Sequence, residues 1–401
     1  MSKLLSVFLD GIKPSSVKHM PFLNSFKNKA NLTTDVGFST TCHASMYSGV
    51  YPEKHGIWHS MLYNPTSSPY KWLEDSGVSR IPDLDILKYL AFRATKKFGK
   101  RNDSFFGIQY IRTSSFRNWP KISFSEEKFW TDESYLTAYD SIFDILRKNK
   151  ISFETPGLIP GQRLHFSSKI VDDYELDFGK EWTYLFMADI DPLSHIFLQE
   201  SEECIERMKY IDKIIMEKYE QLEKQHGKVR LMCWSDHGHT EVKKHINIKK
   251  IFNFHKVNLD NILYLVDSTF VRFWPRDNNE EKKIRDVMKS LENKGDFFTE
   301  EYIKNHHVNF SDKRYGSLIY YIDPPYAFSN THSPFLYMRE YKNNISMHGY
   351  RPEIKDMDGF FVSSDSINKS RVTLQDMFVS TLSSLNLKIP EYVDGKDIYK
   401  L

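Results

Sequence analysis

Apolar runs and amphipathic stretches alternate along most of the chain. Residues 4–9, 182–187 and 228–235 are short, largely apolar runs, of a length typical of strands buried on both faces. A charged amphipathic pattern over residues 201–225 predicts a long helix between the second and third runs. Because buried strands that alternate with helices form parallel sheets covered on both faces, the pattern predicts an α/β fold with a doubly wound, mostly parallel sheet flanked by helices.

Weaker patterns extend this alternation toward both ends of the chain. Hydroxyl-capped or amphipathic stretches predict helices, and short apolar stretches predict strands. The predicted helices cover residues 15 or 16 to about 27, 132–148, 278–293 and 373–385, and the predicted strands lie within residues 151–153, 261–274, 318–322 and 359–363.

Two stretches interrupt the alternation. Residues from about 58 to 130 are rich in Tyr, Ser, Pro, Arg and Lys and contain one amphipathic helix pattern, over residues 83–97, so we expect an inserted cap there. Residues from about 255 to 340 are a candidate small subdomain. No linker is long enough to separate independent domains, so residues 1–401 are interpreted as a single domain that carries these insertions.

Composition and charge exclude several classes of protein. The 401 residues carry a net charge of +2 with Lys and Glu interspersed, so no basic field favours a nucleic acid polymer as partner. The three cysteines, Cys42, Cys204 and Cys233, make no disulfide framework and fit a reducing compartment. No apolar run has the length of a signal peptide core or of a membrane span. We therefore expect a cytoplasmic protein without a membrane span.

Acidic and imidazole side chains follow the predicted strands. Any one of them alone is weak evidence, but the carboxyl ends of parallel strands meet at one edge of a sheet, where side chains from distant positions converge. Mixed carboxylate and imidazole ligands suit zinc, with manganese or iron as substitutes. Six such side chains together predict a site for two metal ions. They are Asp10, Asp191, His195, Asp236, His237 and His348.

A run of hydroxyl residues, Ser39, Thr40 and Thr41, precedes a small-residue segment that ends at Gly49. Ser39 as a helix N-cap is the simplest interpretation of this stretch taken alone, because hydroxyl oxygens readily accept the first backbone N–H groups of a helix. The same helix end suits a phosphoryl or sulfuryl group, since its free N–H groups attract anions. The distant metal ligands favour the second interpretation, in which a nucleophilic hydroxyl attacks an anion held there.

The order of these motifs resembles the type I phosphodiesterase/nucleotide pyrophosphatase family of the alkaline phosphatase superfamily. The resemblance spans nearly the whole chain and implies an alkaline phosphatase-like sheet and a metal-dependent hydrolase. The matching segments are Asp10-Gly11, Ser39-x-x-x-His43, Ser48-Gly49-Val50-Tyr51-Pro52, His55-Gly56-Ile57, Asp191-x-x-x-His195, Ser235-Asp236-His237-Gly238, His348-Gly349 and, less specifically, residues 389–396.

The resemblance assigns the nucleophile to Ser39, a position usually occupied by Thr in this family, with Thr40 or Thr41 as fallback positions. It implies in-line attack on phosphorus and a covalent phospho-enzyme intermediate that water then hydrolyses. The implied substrate is a small phosphodiester, with nucleotides and nucleotide-linked sugar or lipid headgroups as candidates.

The resemblance also implies two sets of zinc ligands, with manganese as a substitute metal. His239, two residues after His237, is interpreted as a supporting residue rather than a ligand. One zinc ion would be bound by Asp191, His195 and His348, and the other by Asp10, Asp236 and His237 with Ser39 beside it.

One position departs from the family pattern. The nucleotide-cleaving members carry an Asn, as an oxyanion donor, three residues after the His-Gly-Ile run. Here Ser60 stands at that position with His59 beside it, so these two are the candidate substrate-binding residues. The change weakens the inference to a nucleotide diester.

Other functions remain open at this point. A phosphomonoesterase or phosphonate hydrolase could use the same scaffold, and a phosphoryl-group transferase or binding protein could use the same metal ligands. A sulfatase is disfavoured because Cys42 is followed by His-Ala-Ser-Met and lacks the Pro-x-Arg context that formylglycine formation requires.

Overall fold

The structure is a computed structural model. Among the described residues, none of the helices combines the length and the apolar character that crossing a membrane requires. The described residues are 3–75, 77, 84–98, 111, 114–158, 167–329 and 345–399.

The chain divides into two compact units. Unit 1 comprises Met1–His55, Lys128–Thr240 and Arg351–Leu401, and unit 2 comprises Gly56–Glu127 and Glu241–Tyr350. The predicted cap and the candidate subdomain, where they are described, fall almost entirely within unit 2. The function of residues from about 58 to 130 as a cap over a catalytic site stays a prediction.

Strands come from both units. They are β1 (Lys3–Leu9), β2 (Asn28–Thr33), β3 (Met61–Tyr63), β4 (Ile122–Phe124), β5 (Phe153–Glu154), β6 (Trp182–Met187), β7 (Val229–Trp234), β8 (Thr240–Glu241), β9 (Lys244–Ile246), β10 (Leu263–Val266), β11 (Phe270–Trp274), β12 (Gly295–Phe297), β13 (Leu318–Ile322), β14 (Tyr326–Phe328), β15 (Ser346–Met347), β16 (Gly359–Ser363) and β17 (Arg371–Thr373).

The helices vary from one turn to about seven turns. They are α1 (Pro21–Ser25), α2 (Ser39–Ser48), α3 (Pro52–His55), α4 (Trp72–Asp75), α5 (Asp85–Phe98), α6 (Ile142–Lys148), α7 (Ser167–Asp173), α8 (Ile190–Ser194), α9 (Glu202–His226), α10 (Ile248–Phe254), α11 (Asn278–Met288), α12 (Glu300–Asn305) and α13 (Leu374–Ser384), with 3₁₀ turns at Pro14–His19, Phe116–Lys121, Leu259–Asn261 and Lys289–Leu291.

Unit 1 is built on a seven-stranded sheet in the order β17-β2-β16-β7-β1-β6-β5. The strand β1 pairs in parallel with β6 and β7, β5 pairs in parallel with β6, and β17 pairs in parallel with β2. Only β16 among these strands runs antiparallel to its neighbours, β2 and β7. The predicted α/β fold with a mostly parallel sheet flanked by helices is therefore confirmed, and the reversed direction of β16 was not predicted.

One apolar core joins the centre of this sheet to the long helix α9. Leu5, Val7 and Leu9 of β1 are fully buried and pack in the same cluster as Met208 and Ile215 of α9. The helix begins after Ser201, whose hydroxyl accepts a hydrogen bond from a backbone N–H of the first turn, as an N-cap does. The core holds β1, β6 and β7 firmly, so the residues that follow these strands start from fixed positions.

The helix α2 is also held in place. It ends at Gly49, whose φ of +72° is a left-handed conformation that glycine adopts at little cost. A Cβ atom at Gly49 would lie 2.5 Å from Cδ1 of Phe378 in α13, so glycine also permits the close packing of the two helices. This packing positions the first residue of α2, Ser39.

Three predicted helices have wrong boundaries. The helix predicted over 278–293 ends at Met288 and is followed by a separate 3₁₀ turn at Lys289–Leu291. The helix predicted from residue 15 or 16 to about 27 is divided into a 3₁₀ turn and α1 at Pro21, because proline has no N–H to continue the hydrogen-bond ladder. The helix predicted over 132–148 begins only at Ile142. Ser141 and Asp144 form a reciprocal capping box that starts the helix there.

Unit 2 contains a four-stranded antiparallel sheet in the order β10-β11-β13-β12. Two further strand pairs, β3 with β4 and β9 with β14, belong to the same unit. Its helix α5 corresponds to the amphipathic pattern over residues 83–97, and the first two positions of that pattern lie outside the helix, with residue 83 outside the described residues. Tyr70, Phe116 and Trp119 form part of an aromatic core here.

Candidate metal centre

Ser39 is the first helical residue of α2, and Phe38 occupies the N-cap position before it without a side-chain cap hydrogen bond. The Oγ atom of Ser39 lies 3.0 Å from Nε2 of His237. The interpretation of Ser39 as the N-cap is therefore wrong. Its hydroxyl contacts a predicted metal ligand, which favours it over Thr40 and Thr41, although the choice of nucleophile among the three stays a prediction.

His237 presents one ring nitrogen to a group of acidic oxygens. Its Nδ1 lies 3.2 Å from the Gly238 carbonyl oxygen, which can only accept, so Nδ1 carries the hydrogen of the neutral ring. Nε2 then has a lone pair and lies 3.6 Å from Oδ1 of Asp10 and 3.4 Å from Oδ2 of Asp236. This tautomer is the one that binds a cation through Nε2.

Backbone hydrogen bonds hold the Asp236 carboxylate, and Asp10 and Asp236 each have one buried carboxylate oxygen without a hydrogen-bond partner among the described residues. Oδ1 of Asp236 accepts the N–H groups of Gly11 at 3.3 Å and of His237 at 3.0 Å. In the described part of the chain, Oδ1 of Asp10 and Oδ2 of Asp236 are buried and have no hydrogen-bond partner. Two ligand atoms of one zinc ion stand about 3–3.5 Å apart. Nε2 of His237 lies at close to this distance from Asp10 and Asp236, at 3.6 and 3.4 Å, so these residues fit a cation.

Burial and mutual repulsion make this acidic group costly without a cation. Burial, reinforced by the charges of Asp236 and Asp191, raises the pKa of Asp10 well above its ordinary value. Burial also raises the pKa of Asp236, although the neighbouring His237 opposes the change. A bound cation would favour the ionised carboxylates and so reverse both shifts.

A second group of ligands begins at the carboxyl end of β6. Asp191 lies on α8 and His195, four residues later, directly follows this helix, with Nε2 of His195 3.5 Å from Oδ1 of Asp191. Nε2 of His239 lies 2.9 Å from the same oxygen. Asp191, His195 and His239 offer ligand atoms within 4.8 Å of one another, and so do Asp10, Asp191 and His237. Asp191 therefore belongs to both groups.

The remaining predicted site residues belong to unit 2. His348 is buried and directly follows β15, and its role as a zinc ligand stays a prediction. His59 and Ser60 are buried too. Nδ1 of His59 accepts the Met61 N–H at 3.1 Å, and its Nε2 lies 2.9 Å from Oδ1 of Asp267. A role of His59 or Ser60 in binding substrate stays a prediction.

Other family motifs tie α2 to the segments around it. The Ser45 hydroxyl donates to Asp35 and lies 3.1 Å from Nε2 of His55, which places the His-Gly-Ile motif in a structural contact. The backbone N–H of Tyr51 donates to Asp394 at 3.0 Å, and the Asp394 N–H donates to the Gly49 carbonyl at 2.8 Å. The closing segment, residues 389–396, thus holds the turn after α2.

A buried histidine of α2, His43, belongs to one of the family motifs but has no predicted role. It packs against Trp130 with ring centroids 3.9 Å apart, and burial lowers its pKa to about 3. The imidazole is therefore neutral at physiological pH and packs among aromatic rings. Only the repeated contact with aromatic rings identifies this packing role, and those rings come from distant parts of the chain.

Removing the buried arginine of unit 2 should strongly destabilise that unit. The Arg272 guanidinium is fully buried and lies 3.0 Å from Oδ2 of Asp267 and 3.0 Å from Nδ1 of His59. Arg272→Met removes the cationic partner of the buried Asp267 carboxylate, whose contact with His59 brings no compensating positive charge, so we expect the free energy of unfolding to fall by about 3–5 kcal/mol. Chemical denaturation followed by circular dichroism measures this loss.

Arg276→Met is the matched control for that experiment. Arg276 forms an ion pair with Glu280 at 2.6 Å, but its side chain is 73 % exposed. The expected loss is much smaller than that of Arg272→Met, because water screens an exposed pair. Equal losses in the two variants would contradict the structural role assigned to Arg272.

Zinc should stabilise the metal-free protein against heat. A cation relieves the repulsion among Asp10, Asp191 and Asp236, and zinc at 100 times its dissociation constant should add about 2.7 kcal/mol to the free energy of unfolding. Differential scanning calorimetry with and without zinc measures the increase in Tm. Asp212→Asn alters a buried carboxylate elsewhere in unit 1, so it should lower the starting Tm but keep the zinc effect. An unchanged Tm with zinc in the unaltered protein would contradict the metal centre.

The chain is similar to known proteins both in its sequence and in its fold. The family model for type I phosphodiesterase / nucleotide pyrophosphatase matches residues 4–351. A search of curated protein sequences gives no match. Among solved structures, human ectonucleotide pyrophosphatase / phosphodiesterase 5 is 14 % identical with a TM-score of 0.66, over 98 % of this chain and 97 % of that chain.

Two murine structures of the same protein are also similar to this chain. One is 13 % identical with a TM-score of 0.65, over 98 % of this chain and 97 % of that chain. The other, an inactive variant in complex with AMP, is 13 % identical with a TM-score of 0.66, over 98 % of both chains. At these identities the likeness concerns the fold, and it agrees with the predicted alkaline phosphatase-like sheet.

Proposed function

Because the chain belongs to the type I phosphodiesterase / nucleotide pyrophosphatase family, whose members are hydrolases that act on phosphoric ester bonds, we propose that it is a two-zinc phosphodiesterase. The substrate is a small phosphodiester, and the reaction proceeds through a phosphorylated Ser39. The supporting observation is the contact of 3.0 Å between the Ser39 hydroxyl and Nε2 of His237, beside two buried carboxylate oxygens that have no hydrogen-bond partner among the described residues.

The chain supplies two sets of oxygen and nitrogen ligands for the proposed ions. When bound, zinc lowers the pKa of a nearby hydroxyl and neutralises charge on phosphoryl oxygens, and manganese can substitute for it. The proposed sets are Asp191, His195 and His348 for one ion, and Asp10, Asp236 and His237 for the other, with Ser39 beside the second.

Ser39 and the start of α2 would carry out the first chemical step. Backbone N–H groups at the helix start would hold the phosphoryl oxygens. The 3.0 Å distance from Ser39 Oγ to Nε2 of His237 places the hydroxyl beside the proposed ligands of the second ion. The Ser39 Oγ bonds to phosphorus and loses its proton to solvent. The bond from phosphorus to the leaving oxygen breaks, and the leaving group departs as an alcohol after taking a proton.

Water completes the reaction. It attacks phosphorus from the side opposite Ser39, the Oγ–phosphorus bond breaks, and Oγ regains a proton. The products are one alcohol and one phosphomonoester, and Ser39 returns to its starting state. Because both steps displace an oxygen in line, the stereochemistry at phosphorus is retained overall.

Nucleotide-linked diesters are the first substrates to examine. The AMP complex of the murine neighbour supports them, whereas Ser60, at the position of the family's oxyanion Asn, counts against a close copy of nucleotide recognition. Sugar-linked and lipid-headgroup diesters therefore remain candidates, and location in the cytoplasm stays a prediction.

Product analysis with aryl phosphates tests the proposed reaction. The zinc-loaded protein should hydrolyse bis(p-nitrophenyl) phosphate much faster than p-nitrophenyl phosphate, and chelation should abolish both activities until zinc is restored. The reverse preference would replace the proposal with a phosphomonoesterase, and preference for an aryl phosphonate would favour a phosphonate hydrolase. Bound zinc without any turnover would favour a phosphoryl-group transferase or binding protein.

A further inference from the structure

His239 lies between the two groups of predicted ligands in unit 1. Its side chain is 1 % exposed, and its ring centroid lies 4.9 Å from that of His195 and 5.8 Å from that of His237. Its Nε2 lies 2.9 Å from Oδ1 of Asp191. A carboxylate oxygen can only accept a hydrogen bond, so Nε2 of His239 carries the hydrogen and donates it.

The backbone around this contact is tightly packed. Gly11 has a φ of +74°, and a Cβ atom there would lie 3.0 Å from Cβ of Asp191 and 3.1 Å from Nε2 of His239. The N–H of Gly238 donates to the Met357 carbonyl at 2.9 Å. The turn after β1 and the loop after β7 therefore pack closely around the His239 imidazole and the Asp191 carboxylate.

The partner of His239 is the one carboxylate that belongs to both ligand groups. Asp191 offers an oxygen to the group with His195 and to the group with Asp10 and His237. A carboxylate in that position must keep a fixed orientation, because a rotation that improves one group would withdraw its oxygens from the other. A hydrogen bond to one of its oxygens supplies that constraint.

We propose that His239 is a positioning residue that orients the Asp191 carboxylate for cation binding by donating its Nε2–H. The inference rests on the proposed metal-dependent function and assigns a role to a residue outside the two ligand sets. A ring nitrogen that carries hydrogen has no lone pair for a cation, so this hydrogen bond and direct ligation through Nε2 exclude each other.

Two substitutions separate positioning from ligation. His239→Ala removes the donor, and zinc affinity should fall by about 10–100-fold, the usual cost of losing a hydrogen-bond partner of a ligand. His239→Gln places an amide N–H near the position of Nε2, so it should retain most of the affinity. Competition between the protein and a chromophoric chelator for zinc measures each dissociation constant, with no need for a substrate.

A matched control removes another buried imidazole of unit 1. His55→Ala breaks a contact with Ser45 of 3.1 Å and should leave zinc affinity unchanged. If His239→Ala does not fold, His239→Leu removes the same donor while filling more of the space, and its zinc affinity is compared with that of His239→Gln instead. The visible spectrum of the cobalt-substituted protein should be the same in His239→Gln as in the unaltered protein, because the ligand set is preserved.

Three results would overturn the inference. They are unchanged zinc affinity in His239→Ala, affinity in His239→Gln as low as in His239→Ala with an altered cobalt spectrum, and absence of zinc binding to the unaltered protein. If the protein binds zinc but hydrolyses no phosphodiester, the proposed reaction fails, whereas the affinities of the His239 variants still decide the positioning role.

Discussion

Ser39→Ala is expected to lower kcat for a phosphodiester by about 10⁴- to 10⁶-fold while the zinc content stays unchanged. The loss is this large because the variant lacks the oxygen that would form the bond to phosphorus. A water molecule in the place of that oxygen would not be held in a fixed orientation. The change removes one hydroxyl in contact with His237, and the carboxylate and imidazole ligands remain. Steady-state kinetics together with elemental analysis measure both quantities.

Neighbouring hydroxyls supply the controls for this prediction. Ser39→Thr keeps the nucleophilic oxygen and should retain a substantial part of the activity. Thr40→Ala and Thr41→Ala should retain activity and zinc. A phosphorylated peptide trapped by acid quench should carry its phosphate on Ser39. Full activity in Ser39→Ala, with loss in Thr40→Ala or Thr41→Ala, would transfer the nucleophile to that threonine.

Asp191→Asn is expected to remove zinc from the set that Asp191 forms with His195 and His348. Because Asp191 also lies within 4.8 Å of Asp10 and His237, the lost charge should weaken zinc binding at the other set as well. We expect kcat/KM to fall by more than the about 10–100-fold that losing an outer hydrogen-bond partner costs. Asn preserves the shape of the side chain but removes its negative charge, and Asp191 is the carboxylate shared by the two groups. Elemental analysis after exhaustive dialysis gives the zinc content per chain. His195→Ala should reduce occupancy at only one group, as should His348→Ala if its predicted role is correct.

Asp189→Asn is the matched control for the loss of charge. Asp189 lies two residues from Asp191 and is also buried, but its carboxylate accepts the Ser168 N–H at 2.8 Å and lies 3.3 Å from the Arg207 guanidinium. This variant should lose stability and keep its zinc. Equal zinc loss in the two variants would indicate general unfolding and contradict the ligand role of Asp191.

Local sequence patterns correctly predicted those helices and strands that are determined by neighbouring residues. The strands β6, β13 and β16 have the predicted bounds, because each is a compact apolar run that a sheet buries on both faces. The failures have physical causes as well. Pro21 interrupts a helical pattern because it lacks an N–H, and the capping box at Ser141 starts a helix ten residues after its predicted beginning.

Long-range geometry decided the features that the patterns left open. The sequence of residues 359–363 does not indicate the direction of the strand. The strand β16 runs antiparallel because of the direction in which the chain enters the sheet between β2 and β7. The stretch around Ser39 permitted either a cap or a nucleophile. The helix begins at Ser39 with Phe38 as its N-cap, which excludes the cap interpretation, and the Ser39 hydroxyl meets His237, 198 residues away along the chain.

The sequence by itself determined the class of fold, the family and which acidic and imidazole residues follow the strands, because strand burial and motif order are properties of residue type and spacing. The tertiary structure alone decided which of these side chains meet. It brought Asp191 into both ligand groups and placed the His239 imidazole on its carboxylate, across 48 positions of the chain. A hydrogen bond depends on distances of a few tenths of an ångström, and only the packed backbone sets such distances.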